Sequence, residues 1–572
     1  MKQFVSFMLC LLAFSAASAQ VTTSSMSGHV QDEQGAPVVG ALVLATHTPS
    51  GTEYSAIVDG TGNYRIMNMR SGGPYSVKIS MLGFQTVLNE GINIALGDNY
   101  VLDVTLPIES TDLDEVVVTG TRSSILNSDR AGVATNINNR QLNVLPTVSR
   151  SISDFTRLTP QAGNSGSFGG RDTRYNNVSI DGAAFAQRFG LSTSNNYPGG
   201  DAQPISLDAI QEISVNLTPF DIRQSNFTGA NINAVTKSGD NSYHATAYTF
   251  QRFKSMTGDR VQDATVANAK TTSRQTYGAS VGGPIIKNKL FFFINGELEY
   301  KSFLGNQWQP STDGVGSAEN KISQTTIADL KRVSNFLKEK YNYDPGAYQN
   351  FGNSAADNYK IMARIDWNIS KNHKLMVRYN DVKSQDDNLV SGASTPGGVR
   401  LNNAGRNSIN SISFANTGYK QENRVRSITA ELNSVFSPKV SNKLLASFTN
   451  INDTRKTDGD LFPFVDIMRL GSDGKTYEGY MSFGTEIFSF NNGVLNNTFN
   501  ITDNVTIGLG QHTLTAGLSY ENQHFSNGYM REGTTYYAYN SVDDFINNAK
   551  PAAFAYQLGY PGNEDARTKL TF

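Results

Sequence analysis

The sequence predicts a mainly β protein with an N-terminal β-sandwich, a small α+β domain and an antiparallel transmembrane β-barrel. Three observations support the barrel. From Tyr243 to Phe572 the chain contains about ten candidate strands, each near the length that a tilted strand needs to cross a bilayer. Tight turns alternate with long loops along this region. The candidate strands also alternate apolar and polar side chains with a period of two residues.

The connections between these strands alternate in length. The tight turns are Gly282–Lys289, Ser370–Lys374, Ser437–Ser441 and Leu509–Gln511. The long loops are Gly258–Thr272, Ser302–Ala356, Gln385–Gln421, Thr454–Leu495 and His524–Asn563. Outer-membrane barrels have this asymmetry, with tight turns facing the periplasm and long loops facing outside.

The segment Tyr359–Ile369 illustrates the alternation of side chains. One face carries Tyr359, Ile361, Ala363, Ile365, Trp367 and Ile369, and the other carries Lys360, Met362, Arg364, Asp366 and Asn368. Alternation alone also fits a soluble β-sandwich, whose inner face is likewise apolar. The asymmetry of the connections and the features of the N-terminus favour the membrane barrel.

The composition excludes two broad classes of protein. Among 572 residues, 17% are charged and the mean hydropathy is −0.36, and no apolar run beyond the first residues is long enough for a transmembrane helix. These values argue against a helical membrane protein. The net charge of −2 gives no electrostatic footprint for a nucleic-acid partner.

Residues 1–19 have the pattern of a secretory signal peptide. Lys2 supplies the positive start, Phe4–Ala13 is the apolar stretch, and Ala17-Ser18-Ala19 is a small-residue cleavage site. Cleavage there would leave Gln20 as the mature N-terminus and would remove Cys10, the only cysteine of the chain. The mature protein would then have no disulfide or thiolate chemistry.

Residues 20–108 are predicted to form a small β-sandwich. Strand-like segments are Met26–Gln31, Ala41–Thr46, Tyr64–Met67, Tyr75–Met81 and Val101–Leu106, and Asp32–Ala36 and Asp59–Asn63 are turn-rich. The pattern Gly28-His29-Val30, Gly35-Ala36-Pro37-Val38, Gly40-Ala41-Leu42-Val43, Asp59-Gly60-Thr61-Gly62-Asn63-Tyr64, Gly73-Pro74-Tyr75 and Gly83-Phe84 resembles the carboxypeptidase-regulatory-like sandwich. That resemblance does not imply peptidase activity.

The chain lacks motifs for catalysis or for a metal cofactor. The histidines are His29, His47, His244, His373, His512 and His524, and no pair of them has metal-ligand spacing. The sequence also contains no Gly-x-Ser-x-Gly elbow and no phosphate-binding loop. We therefore predict a protein that is not an enzyme and that needs no cofactor.

Residues 109–120 form an acidic linker that runs into a β-branched segment. The residues Asp114, Glu115, Val116, Val117, Val118 and Thr119 resemble the TonB box of TonB-dependent outer-membrane transporters. Such an extended segment can add as a strand to the edge of a partner's sheet. The resemblance implies that these residues bind TonB, and the alternative is a plain first strand of the following domain.

Residues 121–240 resemble the plug domain of the same family. The supporting motifs are Asn177-Val178-Ser179-Ile180-Asp181-Gly182, Ser206–Val215 and Gly229–Gly239, and Gly163–Asn177 and Tyr277–Phe293 look like its Oar-like branch. Each motif also has local meaning: Val178–Ile180 is a strand closed by an Asp-Gly turn, and Ser206 is placed to cap a short helix that leads into a strand. Residues 241–572 are then the N-terminal part of the barrel.

A barrel of about ten strands is too narrow to enclose a plug, whereas barrels of about 22 strands do so. The sequence therefore predicts that its barrel is incomplete and that the chain is part of a longer transporter. An open barrel edge in lipid would leave backbone groups unpaired.

The family resemblance implies energised import across the bacterial outer membrane. An unidentified substrate would bind from outside, and TonB, driven by the inner-membrane proton-motive-force complex, would pull on the box and displace the plug. The partners are thus TonB and outer-membrane lipid, with the N-terminal domains in the periplasm or the lumen. The alternative is a surface structural or adhesion protein that uses the barrel as an anchor.

Two further hypotheses concern individual residues. The plug residues Arg171, Asp172, Arg174, Tyr175 and Asp181 are assigned to the contact with the barrel or to the ligand side. Within this set, Arg171 and Arg174 are predicted either to pair with the lumen carboxylates or to be solvated, and the carboxylates considered are Glu297, Glu299 and Glu431.

The second hypothesis is an amphipathic helix over Thr325–Tyr341, in a long outer loop. Thr326 and Asp329 have the spacing of a capping box, and the apolar stripe consists of Ile327, Leu330, Val333, Leu337 and Tyr341. This helix either covers the substrate as a lid or packs on the rim of the barrel.

Overall fold

The structure is a computed structural model of the chain. It describes residues 21–108, 116–119, 134–147, 150–163, 166–185, 203–219, 221–224, 226–256, 258, 260–262, 264–265, 271–392, 394–395, 405–509, 512–559 and 567–571. The predicted signal peptide, residues 1–19, lies outside these residues.

The N-terminal region is a sandwich of two sheets. One sheet contains Ser24–Asp32, Asn63–Met69, Asn99–Val101 and Val104–Leu106. The other has the order Thr52–Ile57, Leu42–His47, Gly72–Ser80, Val87–Ile94 and Val116–Thr119. Alternating apolar residues of both sheets, such as Met26, Val43 and Val77, are fully buried between them.

Two of these strands were not predicted from the sequence. In Thr52–Ile57, small and polar residues hide the alternation of buried and exposed positions. In Val87–Ile94, Glu90 and Gly91 interrupt the apolar pattern, and both are exposed. Local patterns therefore identified the strands of the sandwich with large apolar residues and missed the other two.

The buried side chain of His47 makes the stability of the sandwich depend on pH. Its Nδ1 lies 2.7 Å from Ser50 Oγ, and burial, together with the charge of Arg70, lowers the pKa of His47 from 6.5 to about 3. The folded state therefore holds the neutral imidazole, whereas the unfolded chain binds a proton below about pH 6.5. Stability from this group is complete above that pH and is lost as the pH falls toward 3, by up to about 1.4 kcal/mol per pH unit.

We expect the thermal midpoint of the sandwich to fall between pH 7 and pH 5, and to fall less in His47→Asn, which has no titrating group at this position. Differential scanning calorimetry of both proteins at several pH values measures the two slopes. Equal slopes would show that the titration of His47 is not coupled to folding.

The second domain, which we call the plug, has a five-stranded sheet. The strand order is Ala134–Asn138, Ile210–Asn216, Asn231–Thr236, Asn177–Ile180 and Ala183–Ala184. The short helices are Asn139–Val144 and Ile152–Thr156, with 3₁₀ turns at Thr173–Tyr175 and Leu207–Ala209. The predicted Asp-Gly turn is present: Asp181 and Gly182 both have positive φ, of 45° and 77°, as a two-residue hairpin requires.

The third domain is a single antiparallel sheet of ten strands, which we call the wall. Its strands, in spatial as well as sequence order, are His244–Phe253, Thr271–Ile286, Leu290–Phe303, Ser354–Asn368, His373–Asn388, Tyr419–Ser437, Val440–Thr457, Gly493–Leu509, His512–Gly528 and Arg567–Thr571. The number of strands agrees with the prediction. Several strands reach 14 to 19 residues and are longer than predicted. Gly282, which was predicted to begin a tight turn, therefore lies within the strand Thr271–Ile286.

The two faces of the wall differ as the sequence predicts. In Ser354–Asn368 the side chains of Ile361, Ile365 and Trp367 are exposed on the outer face, whereas Lys360 and Arg364 are buried on the inner face against the plug. Exposed Ile294, Leu298, Ile428, Phe448, Phe499, Leu514, Leu518 and Tyr520 continue the apolar outer surface on other strands. An apolar outer face and a polar inner face are the pattern of a sheet set in lipid.

The long loops fold together into one unit, which we call the loop lobe (residues 304–353, 405–418, 458–492 and 529–559). Its five-stranded sheet has the order Ile412–Ser413, Tyr477–Phe483, Phe464–Leu470, Tyr536–Tyr539 and Ala553–Ala555. Gln309–Ser311 pairs with Ile322–Thr326, the helices are Ile327–Tyr341 and Val542–Ile546, and a 3₁₀ turn lies at Ala415–Thr417. A 3₁₀ turn at Lys254–Met256 and the pair Arg260–Val261 and Ala264–Thr265 lie in the first long loop. None of the helices in the described ranges has the length and apolar character to cross a membrane.

Candidate functional site

The plug packs on the inner face of the wall through a shared apolar core. The wall contributes Phe293, Met362, Val382, Val425 and Ile451, all buried. Plug residues of the same cluster include Val178, Ile180, Ile213, Val215 and Ile232. Burial of these side chains on both sides gives the interface most of its non-directional attraction, about 25 cal/mol per Å² of apolar surface.

The carboxylate of Asp181 is the polar centre of this interface. It accepts hydrogen bonds from Thr236 within the plug, at 2.9 Å from the backbone nitrogen and 2.8 Å from the hydroxyl. Two wall arginines approach the same carboxylate: Arg378 at 3.1 Å and Arg364 at 3.5 Å. All three charged side chains are nearly inaccessible to solvent. The plug residue is therefore bound from both sides, by its own sheet and by the wall.

The two arginines differ in their other partners. Arg364 is held by Asp366 of the same strand through two hydrogen bonds of 2.8 and 2.7 Å, and it also donates to Thr236. Arg378 donates to Thr429 of the wall, and its guanidinium lies 5.5 Å from the ring centre of Phe185 in the plug. Asp181 is consequently the carboxylate that neutralises Arg378.

A second polar contact lies at Ser206 of the plug. Its hydroxyl donates to Glu297 of the wall at 2.9 Å, and Glu297 also accepts from Lys360 at 2.6 Å and from Tyr248 at 2.7 Å. Ser206 precedes the turn Leu207–Ala209 as predicted, but its side chain does not cap that turn. The hydroxyl is used for the contact with the wall instead.

The other predicted plug residues, apart from Asp181, lie at the surface of the plug. Arg174 pairs with Asp172 at 3.0 Å on the plug surface, and Arg171 and Tyr175 are exposed. The hydrogen bonds that Arg174 donates lower the pKa of Asp172. Of the two alternatives for Arg171 and Arg174, their exposed side chains agree with solvation and not with pairing to the lumen carboxylates. Those carboxylates have wall partners: Lys360 for Glu297, Arg274 for Glu299 and Lys443 for Glu431. The charges at the interface are the reverse of that pairing, because the plug contributes the carboxylate of Asp181 and the wall contributes the arginines Arg364 and Arg378.

The predicted TonB-binding segment is described only in part. Asp114 and Glu115 lie outside the described residues. Val116–Thr119 is a strand, which we call the box strand, and it pairs in parallel with Val87–Ile94 of the sandwich. These four residues are therefore extended, and they belong to a sheet of the preceding domain.

The sandwich contacts both other domains. Leu96 N donates to Glu212 of the plug at 2.9 Å, and Asn136 of the plug donates to Leu96 O at 3.2 Å. The buried residue Thr22 contacts Glu431 and Lys443 of the wall, and Asn233 of the plug donates to Val21 O. The contacts of Val21 and Thr22 could not be predicted, because the segment before Ser24 has no distinctive sequence pattern.

A buried ion pair joins three segments of the loop region. Arg406 binds Asp466 through two hydrogen bonds of 2.9 and 2.8 Å, and both side chains are almost fully buried. Asp466 also accepts from Ser482 at 2.6 Å and from Tyr536 at 2.9 Å. Burial and the Asp466 carboxylate raise the pKa of Tyr536, so its hydroxyl remains a donor.

The predicted amphipathic helix is present as Ile327–Tyr341. Leu330, Val333 and Leu337 are buried in the lobe, whereas Tyr341 is 43% exposed. Thr326 caps the helix by accepting from Asp329 N at 3.1 Å. In a capping box, Asp329 would also accept a hydrogen bond from Thr326 N. Here the hydroxyl of Tyr480 lies between the two groups: it accepts from Thr326 N and donates to Asp329.

We expect Tyr480→Phe to destabilise this helix start by about 1 kcal/mol, because the half-buried Thr326 N–H loses its acceptor and Asp329 keeps only the hydroxyl of Thr326 as a side-chain donor. Hydrogen exchange of the amides in the first helical turn should become faster. Tyr341→Phe, at the exposed end of the same helix, is the control and should leave those rates unchanged. Equal exchange in Tyr480→Phe and the unmodified protein would contradict a capping role for this hydroxyl.

Two protein families match the chain. The carboxypeptidase regulatory-like domain matches residues 25–107, and the outer membrane beta barrel domain matches residues 235–303 and 301–570. The first match covers the sandwich and the second covers the wall with the loop lobe. The fold class and the outer-membrane location predicted from the sequence are thereby confirmed.

Among known proteins, the chain is similar to the TonB-dependent transporter Oar of Myxococcus xanthus, with 29% identity over 302 residues. The match covers 50% of this chain and 27% of Oar. Its fold is similar to that of the outer membrane transporter YddB from Escherichia coli, with a TM-score of 0.50, 10% identity, and coverage of 77% of this chain and 52% of YddB. The siderophore receptor PirA from Acinetobacter baumannii matches with a TM-score of 0.40 and 16% identity. This match covers 69% of this chain and 48% of PirA.

The chain thus spans about a quarter of its curated relative and about half of each of these solved structures. The curated relative is named as a transporter and not as an enzyme. The sandwich, the plug and the wall follow one another along the chain. The chain belongs to the outer membrane beta barrel domain family, with an N-terminal carboxypeptidase regulatory-like domain and a resemblance to TonB-dependent transporters.

Proposed function

We propose that the protein takes part in TonB-dependent import of a substrate across the outer membrane. The observation that carries this proposal is the plug on the polar face of the wall, fixed by Asp181 between Arg364 and Arg378. A domain that is only a spacer needs no such buried ionic contact with the wall. The similarity to the TonB-dependent transporter Oar supports the same reading.

In this mechanism the substrate enters from the side of the loop lobe. TonB, energised by the inner-membrane proton-motive force, binds the segment Asp114–Thr119 and transmits a pull to the plug. The pull has to separate Asp181 and Ser206 from their wall partners before a passage can open. No covalent step is needed, because the work is mechanical.

A proline in the box strand tests the proposal. Val117→Pro removes a backbone N–H that a paired strand needs as a donor, so it should weaken strand pairing with TonB. We expect binding of the periplasmic domain of TonB, measured by calorimetry, to weaken at least about tenfold, which is about 1.4 kcal/mol. Val117→Ala keeps the backbone donor and is the matched control. Unchanged binding by Val117→Pro would overturn the assignment of the box.

The second candidate function is a surface structural or adhesion role with the wall as an anchor. It is favoured by the loop lobe, which has its own sheet and an apolar core that includes Leu330, Phe414, Ile467 and Phe545. A passive anchor does not use TonB. Surface binding that persists in Val117→Pro cells, together with no TonB binding by the unmodified protein, would favour this function.

A further inference from the structure

The box strand occupies a defined edge of the sandwich. Its four residues pair in parallel register with the strand Val87–Ile94, from Val87 opposite Val116 to Glu90 opposite Thr119. In the part of the chain that the structure describes, the box strand is the last strand of this five-stranded sheet. One side of its backbone is thus bound to the sandwich, and the other side forms the end of the sheet.

The opposite edge of the same sheet is fixed to the wall. Asn368 donates to Thr52 Oγ1 at 3.0 Å, and the ammonium group of Lys374 lies 4.4 Å from the ring centre of Tyr54. Both sandwich residues belong to the strand Thr52–Ile57, at the other end of the sheet order. Four strand spacings separate the two edges, so the box strand is held about 19 Å from this wall contact.

We propose that the sandwich presents the box strand as a preformed edge and that a strand of TonB pairs with its free side. TonB would then extend the sandwich sheet and would not have to extract the box from it. An extended segment that is already ordered loses less conformational entropy when a partner strand binds. This inference rests on the proposed function, because it requires that the box is what TonB binds.

The arrangement also gives the pull a route through the sandwich. The sandwich is hydrogen-bonded to the plug where Leu96 meets Glu212 and Asn136, at 2.9 and 3.2 Å. Glu212 lies in the plug strand Ile210–Asn216, which pairs with the strand that leads to Thr236. A pull on the box strand would therefore reach the partners of Asp181 through paired strands.

A reversible cross-link between the box strand and the sandwich tests the proposal. The only cysteine of the sequence is Cys10, so the pair Glu90→Cys and Thr119→Cys introduces one disulfide in a chain without its signal peptide. These residues are direct partners in the parallel register, where neighbouring Cα atoms are close enough for a disulfide. TonB binding is measured by calorimetry on the full chain, first oxidised and then reduced.

If the sandwich presents the box, the oxidised protein binds TonB with a dissociation constant within a factor of about three of the reduced protein. If oxidation abolishes binding and reduction restores it, the sandwich competes with TonB and the proposal is overturned. Failure of the disulfide to form in the folded protein would overturn it as well.

The pair Leu44→Cys and Ser55→Cys is the matched control. These two residues are partners inside the sandwich sheet, away from the box strand. Oxidation of the control pair should leave TonB binding unchanged. Absence of TonB binding by the unmodified protein would overturn the proposed function together with this inference, whereas loss of binding only on oxidation of the Glu90–Thr119 pair overturns this inference alone.

Discussion

Replacing Asp181 with asparagine should weaken the attachment of the plug to the wall by about 3–5 kcal/mol, the usual effect of breaking a buried ion pair on one side. The substitution preserves shape but removes the charge that neutralises Arg378, which lies 3.1 Å away and is fully buried. Arg364 keeps its pair with Asp366, so the cost falls mainly on Arg378. Hydrogen exchange of the plug strand Asn177–Ile180 in the detergent-solubilised protein measures the loss.

Two variants serve as controls for this prediction. Asp172→Asn removes a carboxylate of the same plug whose pair with Arg174 is exposed, so it should leave the exchange rates of the plug strand unchanged. Adding Arg378→Met to Asp181→Asn removes the unpaired cation and should recover part of the loss. Equal exchange rates in Asp181→Asn and the unmodified protein would show that the ion pair does not hold the plug.

Replacing Arg406 with methionine should open the loop lobe, again with a cost of about 3–5 kcal/mol. The variant leaves Asp466 buried with only Ser482 and Tyr536 as donors, and it removes the bonds from Arg406 to the carbonyls of Ser391 and Ser394. The guanidinium also lies 4.8 Å from the ring centre of Phe464, and this contact is lost as well. Limited proteolysis should therefore cleave the lobe faster.

The ion pair of Arg332 with Asp543 provides the comparison for the lobe. It joins the two lobe helices at 2.7 Å, but both side chains are at least half exposed. Arg332→Met should therefore change the cleavage rate little. A lobe that resists protease equally well in both variants would mean that the apolar core alone holds the loops together.

Much of the fold could be predicted because its signals are local. The wall strands alternate in polarity over neighbouring residues, and turns such as Asp181-Gly182 depend on the conformations that adjacent residues allow. The helix Ile327–Tyr341 was likewise visible from its cap and its apolar stripe. The lobe sheet was not predicted, because its five strands are distributed over three loops that are far apart in the sequence.

The contacts of the candidate site could not be predicted from the sequence in the same way. Asp181 is 183 and 197 positions from its arginines, and the pattern around each residue says nothing about the other. Arg171 and Arg174 were chosen because arginine often binds carboxylates, yet their segment is on the plug surface. A buried aspartate in a tight turn was the better signal, since its charge requires a partner from elsewhere.

If the plug moves as we propose, the charges at its contact with the wall affect which solutes could pass together with the substrate. Lys360, Arg364 and Lys443 keep carboxylate partners within the wall, whereas Arg378 relies on Asp181 of the plug. When that part of the plug withdraws, the lining gains one uncompensated positive charge, which must be hydrated. In the proposed transport, a passage opened at this point would be water-filled, and the Arg378 guanidinium would favour anions over cations at that position.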